Sequence, residues 1–286
     1  MLWLKKCPWL KLQMNKLLRI GIVGCGAIGS SLAKSIISDF SHKAELASLY
    51  DIDIEKTYNL ANRFNNQKLA VLNLDDLINK VDLVIEATKM EVAFEIAKKT
   101  LSASRDIMIM SVGGIIERYR ELAALAEAKH ARIFIPSGAI CGIDGLKASA
   151  CAKINKVTLT TKKPPKAFLG IPYLLKRNIR LDSINEDTLL FEGDAFSAIK
   201  AFPQNVNVAA TLSIAGIGPE KTIVRIVASP SITENIHEIE IESDAGRIFT
   251  RTQNLIHPDN PKTSFLAVLS AIATLKQILE PIKIGN

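Results

Sequence analysis

The 286-residue sequence predicts an α/β fold: a doubly wound parallel sheet followed by a second, α+β domain. Three observations predict it. Residues 19–32, RIGIVGCGAIGSSL, read as a buried strand, a glycine-rich turn and the start of a helix. Strand and helix patterns then alternate down the first half of the chain, the order that builds a parallel sheet with helices on both faces. In the second half the pattern changes to a glycine-rich crossover, further strands and a hairpin.

The first element is the most specific. Gly24, Gly26 and Gly29 follow a strand over 20–23 with the G-x-G-x-x-G spacing. In that setting the first glycine permits the tight turn and the second lets a pyrophosphate approach the backbone. The third lets helix and strand pack closely. The helix that follows, with Ala27 and Ile28 in its first turn, offers unpaired N–H groups and a positive dipole end to phosphates. Residues 45–50 read as a second strand ending at Asp51. An acid there accepts hydrogen bonds from the adenosine ribose hydroxyls and disfavours a 2′-phosphate. Asp53, two residues on, could share that role. Together these form a Rossmann dinucleotide fingerprint. The cofactor it predicts is NAD, with NADP also admitted because a single acid biases the choice without closing it.

The remaining elements follow in order. A helix is expected over 55–64, a short strand over 69–72 and a helical turn over 74–78. The strand over 82–87 has the continuous apolar run of a buried parallel strand. A helix over 90–101 follows, then a strand over 106–111 ending at Gly113-Gly114, a helix over 117–129 and a sixth strand over 132–135. Ligands of such sheets sit beyond the carboxyl ends of the strands. After the crossover PSGAICGIDG (136–145), strands are expected over 156–161, 188–193 and 222–228, with helices over 195–202 and 205–215. A hairpin pairs 236–242 with 247–253, and an apolar helix over 264–279 is expected to pack back on the nucleotide domain. The expected division is an extension over 1–16, a dinucleotide-binding domain over 17–137, a substrate-binding and dimerisation domain over 138–261 and the returning helix over 262–286.

Composition narrows the function classes. Net charge is +7 and the isoelectric point is near 9.2, with lysine and arginine gathered around 153–166 and 176–180. Aromatic residues are only 6%, so the aromatic interleaving of a nucleic-acid binder is missing. The charge reads as solvated surface, or as a field that favours an anionic cofactor and substrate. Cys7, Cys25, Cys141 and Cys151 form no C-x-x-C pair and no metal spacing, which fits a reducing cytosol and predicts no metal. No apolar run reaches the roughly 18 residues of a membrane span. The first 16 residues lack the continuous apolar segment of a secretory signal and read as a tail, or as the product of an upstream start with Met14 the real one. The expected location is cytoplasmic.

Four places carry candidate chemistry. In 236–242 side chains alternate between faces, so His237, Ile239 and Ile241 share one face and Glu238, Glu240 and Glu242 the other. His237 therefore points the way the apolar residues point, either as a hydrogen-bonded core residue or as a group lining a cleft, where it could serve as a general acid–base. His257 lies in a proline-rich turn, while His42 and His130 read as surface. Asn205 is an N-cap candidate, and Asn207, two positions on, carries an amide able to bond a carboxamide or a substrate. Cys141 sits among glycines, either as a small packed residue or as a nucleophile.

The ensemble resembles the L-aspartate dehydrogenase family. The blocks PSGAICGIDGLKA (136–148), FPQNVNVAATLSIAG (202–216), NIHEIEIES (235–243) and HPDNPKTSF (257–265) carry the resemblance, which with the fingerprint covers 19–279. It implies a nicotinamide cofactor, oxidative deamination of L-aspartate to iminoaspartate and then oxaloacetate and ammonia, and a homodimer or larger assembly. It also implies a functional link to quinolinate synthase in pyridine-nucleotide biosynthesis. The histidine of the family's N-x-H-E pattern is catalytic and falls here on His237; cofactor-contacting positions fall on Ala139 and Asn207. Thr88-Lys89 departs from the smaller or uncharged residues expected there, and 1–16 has no counterpart. Lys147, Arg225 and Lys262 are unranked partners for the two substrate carboxylates. Two other readings stand beside this one: another Rossmann dehydrogenase, of semialdehyde type using Cys141 or of homoserine type, and a non-catalytic dinucleotide-sensing protein.

Overall fold

The structure, a computed structural model, describes residues 16–203, 206–257 and 260–285. The first half folds as β1 (Leu18–Val23), α1 (Ala27–Ser38), β2 (Ala44–Tyr50), α2 (Ile54–Arg63), α3 (Leu74–Lys80), β3 (Leu83–Glu86), α4 (Met90–Ser102), β4 (Asp106–Ile109), α5 (Tyr119–Ala128) and β5 (Ile133–Phe134). The strands pair in parallel in the order β2-β1-β3-β4-β5. The order reverses between β1 and β3, so the crevice at the switch point opens beside Gly24 and Ala87, where β1 and β3 end. β3 is buried along its whole length, as the apolar run of Leu83, Val84 and Ile85 requires.

One expected strand is absent. Residues Gln67–Leu69 form a single 3₁₀ turn, and only a lone bridge from Ala70 to Leu49 joins this stretch to the sheet. Leu69 and Val71 still bury their side chains, which is what the apolar pattern recorded. The Asn73 side chain already caps α3 by accepting from the Asp76 N–H at 2.8 Å, so the chain turns into helix before a ladder can extend. Among the described residues the parallel sheet therefore has five strands instead of six.

The second half contains α6 (Ile143–Ser149), β6 (Ile154–Lys163), α7 (Pro172–Leu175), β7 (Thr188–Asp194), α8 (Ala195–Ala201), α9 (Val206–Ala215), β8 (Ile223–Ala228), β9 (Asn235–Ser243), β10 (Gly246–Asn254), β11 (Ile256–His257), β12 (Asn260–Ser264) and α10 (Phe265–Leu279). The glycine-rich crossover leads into α6, which starts after Gly142 in the left-handed conformation. The last helix begins one residue later than expected because Ser264 ends β12.

The second sheet has the order β10-β9-β6-β8-β7, with β6 and β8 parallel and the other neighbours antiparallel. Its inner face buries Val157, Leu159, Val224, Ile226, Ile239 and Ile241 against Ala209 and Leu212 of α9. The opposite face carries Lys162, Arg225, Glu238, Glu240 and Phe249. One apolar cluster runs without a break from Val84 and Ile107 in the parallel sheet to Leu159 and Ile239 in the second. α10 returns to the other side of the parallel sheet, where Ala271 and Leu275 are fully buried with Ile20, Ile22 and Leu32.

Candidate active site

The turn after β1 uses its three glycines for three separate reasons. Gly24 has φ +101°, and a Cβ there would lie 2.3 Å from the Ala87 carbonyl oxygen. A Cβ on Gly29 would lie 1.9 Å from the Gly24 carbonyl oxygen, so helix and strand could not close. A Cβ on Gly26 would meet nothing within 4 Å. That open space lies in front of the first turn of α1, where Gly26 is the N-cap and no side chain caps the helix. The N–H groups of Ala27 and Ile28 are among those an α-helix leaves without intrahelical partners. The loop thus fits the pyrophosphate of a dinucleotide.

Asp51 stands at the end of β2 and holds the turn. Its carboxylate accepts the Cys25 N–H at 2.8 Å and the Asp53 N–H at 3.0 Å. An ionised carboxylate has acceptor capacity beyond two such bonds, so ribose hydroxyls can still be received. Asp53 is exposed, opens α2 and pairs with Lys56 at 3.3 Å. Cys25 is buried, and that burial pushes its thiol up to about 11.

A cleft of about 520 Å³ lies between the two halves. Ile28, Thr88 and Ser111 line its nucleotide side; Ala139, Lys163, Asn207 and His237 line the other. The nucleotide wall is braced by Glu86, which is fully buried. Its carboxylate accepts the Thr88 N–H at 2.7 Å, the Thr88 hydroxyl at 2.6 Å and the Ser111 N–H at 3.0 Å. The hydroxyl that sets Thr88 apart thus has a structural partner, while Lys89 is exposed and precedes α4. Across the cleft the Asn207 Oδ1 accepts the Gly113 N–H at 3.0 Å, tying α9 to the turn after β4. The Ala139 carbonyl accepts from the Thr252 hydroxyl and from Asn254 Nδ2, each at 3.0 Å, which pins the crossover to β10.

His237 lies on the inner face of β9 and is 5% exposed. Register places it opposite Thr161 of β6, whose Oγ1 lies 2.9 Å from His237 Nδ1. That contact engages Nδ1, and the residue lines the cleft. Burial, and secondarily the neighbouring Lys163, push the imidazole down to about 3. The ring is therefore neutral at physiological pH, the form that can take a proton. Burial also pulls the Lys163 ammonium down to about 8.

Other candidates separate from this cleft. Cys141 and Lys147 line a different recess together with Gln277, and Arg225 pairs with Glu192 at 2.5 Å. Of the carboxylate partners named from the sequence, Lys147 and Arg225 are thus placed elsewhere. Asn205 and the side chains of His257 and Lys262 lie outside the described residues. Sequence reasoning missed Thr161, Lys163 and Glu86. The two-residue period of β6 would have placed Thr161 and Lys163 on the face of Val157 and Leu159, but Lys163 sits in a basic run that reads as solvated surface.

A family model described as aspartate dehydrogenase, C-terminal, matches residues 144–278, and one described as homoserine dehydrogenase, NAD binding domain, matches residues 24–136. An L-aspartate dehydrogenase of Methanosarcina mazei is 46% identical over 272 residues, covering 94% of this chain and 100% of the relative. One of Methanococcoides burtonii is 47% identical over 273 residues with the same coverage. Among solved structures, aspartate dehydrogenase from Thermotoga maritima superposes with a TM-score of 0.69 at 26% identity, covering 94% of this chain and 99% of that one.

Proposed function

The chain belongs to the L-aspartate dehydrogenase family, and from that premise we propose how its own residues carry the reaction. The protein is an NAD(P)-dependent amino-acid dehydrogenase that oxidatively deaminates L-aspartate. The chemistry NAD would supply when bound is that of a hydride acceptor for the substrate Cα. The glycine turn and the first turn of α1, through Gly24, Gly26, Ala27, Ile28 and Gly29, would hold its phosphates, and Asp51 would take the adenosine ribose. The Ala139 backbone and Asn207, both on the cleft wall, would hold the nicotinamide end.

Hydride departure requires the substrate amino group to be neutral, so a proton must first reach a positioned base. His237 is that base, directly or through one water, and it next helps water add to the imine. The observation that carries this reading is a buried imidazole on the cleft wall whose Nδ1 lies 2.9 Å from the Thr161 hydroxyl. Among the described residues no group of three or more His, Cys, Asp and Glu side chains could hold a metal ion.

The test is NAD- and NADP-dependent absorbance change on L-aspartate against a panel of other amino acids, hydroxy acids and semialdehydes. The expected outcome is turnover confined to L-aspartate, lost by about 10²–10⁴-fold in His237→Ala with NADH affinity kept. Loss of NADH affinity with the activity would make His237 structural; activity on an aldehyde that Cys141→Ser abolishes would transfer the chemistry to Cys141.

The assembly we propose is a cytoplasmic homodimer whose iminoaspartate passes to quinolinate synthase. The dimer reading is supported by the outer face of the second sheet, where Phe249 is 61% and Leu189 54% exposed. Light scattering of the purified chain tests it. Among the described residues no helix is long and apolar enough to cross a membrane.

A further inference from the structure

We propose that Lys163 is the carboxylate anchor of the cleft, the residue that selects a dicarboxylic amino acid by binding one of its two carboxylates. This rests on the aspartate reading above. The placement follows from register. Thr161 stands opposite His237, and Lys162 opposite Ile236. Lys163, one residue further, lies on the same face as Thr161, beside the start of β9. Residues two apart on a strand are separated by about 6.6 Å, so the lysine stem starts one row beyond the imidazole. Lys163, Asn235 and His237 all line the same cleft.

The chemistry asks for a cation at this place. A substrate with two carboxylates, drawn into a cleft that buries its base, needs at least one charge-assisted partner away from bulk water. Lys147 and Arg225 stand elsewhere. Lys89, also on the cleft wall, is exposed and belongs to the nucleotide half. Lys163 is half-buried on the substrate side, next to the base. A carboxylate bound there has a second effect. Burial is the larger cause that holds His237 down and the Lys163 charge the smaller; an anion against the ammonium offsets that smaller part. Substrate arrival thus raises the basicity of the group that must accept its proton.

The experiment compares wild type, Lys163→Met and Lys163→Arg. It measures kcat and KM for L-aspartate, NADH affinity, and calorimetric binding of succinate to the enzyme–NADH complex. Methionine keeps the length and apolar stem of lysine, and retained NADH affinity verifies the fold. The expected result for Lys163→Met is a rise of roughly 10- to 100-fold in the KM for L-aspartate and in the succinate dissociation constant. NADH affinity stays within about twofold, and Lys163→Arg recovers part of the loss. Unchanged KM and succinate binding with a fallen kcat would overturn the anchor and make Lys163 a proton relay. Collapse of NADH affinity in both variants would overturn it in favour of a structural role. Failure of wild type to oxidise L-aspartate would overturn the parent reading instead. Even then, succinate binding by wild type lost in Lys163→Met would support the anchor, and no binding to either would sink it.

Discussion

At the scale of single residues, the base is defined by what surrounds it. His237 is buried on β9 opposite Thr161 of β6, and that burial pushes the imidazole down, while Thr161 holds Nδ1. Thr161→Val keeps the shape and removes the hydroxyl. The expected effect is a fall in kcat of about five- to tenfold, the worth of one hydrogen bond, with KM and NADH affinity nearly constant. The histidine also leaves a signature in stability. Its ordinary value is 6.5 and burial brings it to about 3. Between those values the unfolded chain takes up a proton that the folded chain refuses, so stability falls as pH drops through that window. His237→Gln lacks this group. In urea titrations from pH 7 to pH 4 it should lose stability less steeply than wild type; parallel curves would mean that the imidazole is not held neutral.

At the scale of elements, the glycine turn separates folding from binding. Gly24 and Gly29 leave no room for a side chain, while Gly26 faces open space. Gly26→Ala should therefore fold with a melting temperature within about 2 °C of wild type and bind NADH at least tenfold more weakly, because the added methyl occupies the phosphates' place. Wild-type NADH affinity in that variant would move the pyrophosphate away from this turn. The strand ends on the other side of the crevice are braced by Glu86, whose three accepted bonds join the turns after β3 and β4. That brace lets a four-residue strand present Thr88 and Ser111 in fixed positions.

At the scale of the whole molecule, the chain closes on itself. α10 follows the second sheet yet buries Ala271 and Leu275 against α1 and β1 of the first. The nucleotide half is therefore incomplete without the last helix. Leu275→Ala should cost about 3 kcal/mol in urea unfolding, the usual range for a fully buried leucine, and should weaken NADH binding through loosening of α1. A cost under about 1 kcal/mol would mean that the helix rests on the sheet without sealing it. The two halves also meet across the cleft through the Asn207–Gly113 bond and the continuous apolar cluster.

Local pattern by itself determined the glycine turn, Asp51, the alternation of strands and helices, and the face to which His237 points. Each depends on spacing along the chain, and spacing is what a sequence records. It could not decide whether His237 faced a cleft or a core, because that depends on which strand lies opposite and what covers it. The 69–72 segment misled for a related reason: Leu69 and Val71 recorded burial, and burial without a neighbouring ladder produced a turn. Lys163 was invisible because a lysine beside another lysine looks solvated until the register of β6 against β9 shows where its face leads. Thr161, Glu86 and Lys163 acquire their roles from partners up to 76 residues away. Only the tertiary structure decides such pairings, because the free energy that selects them comes from surfaces that meet after the chain has folded.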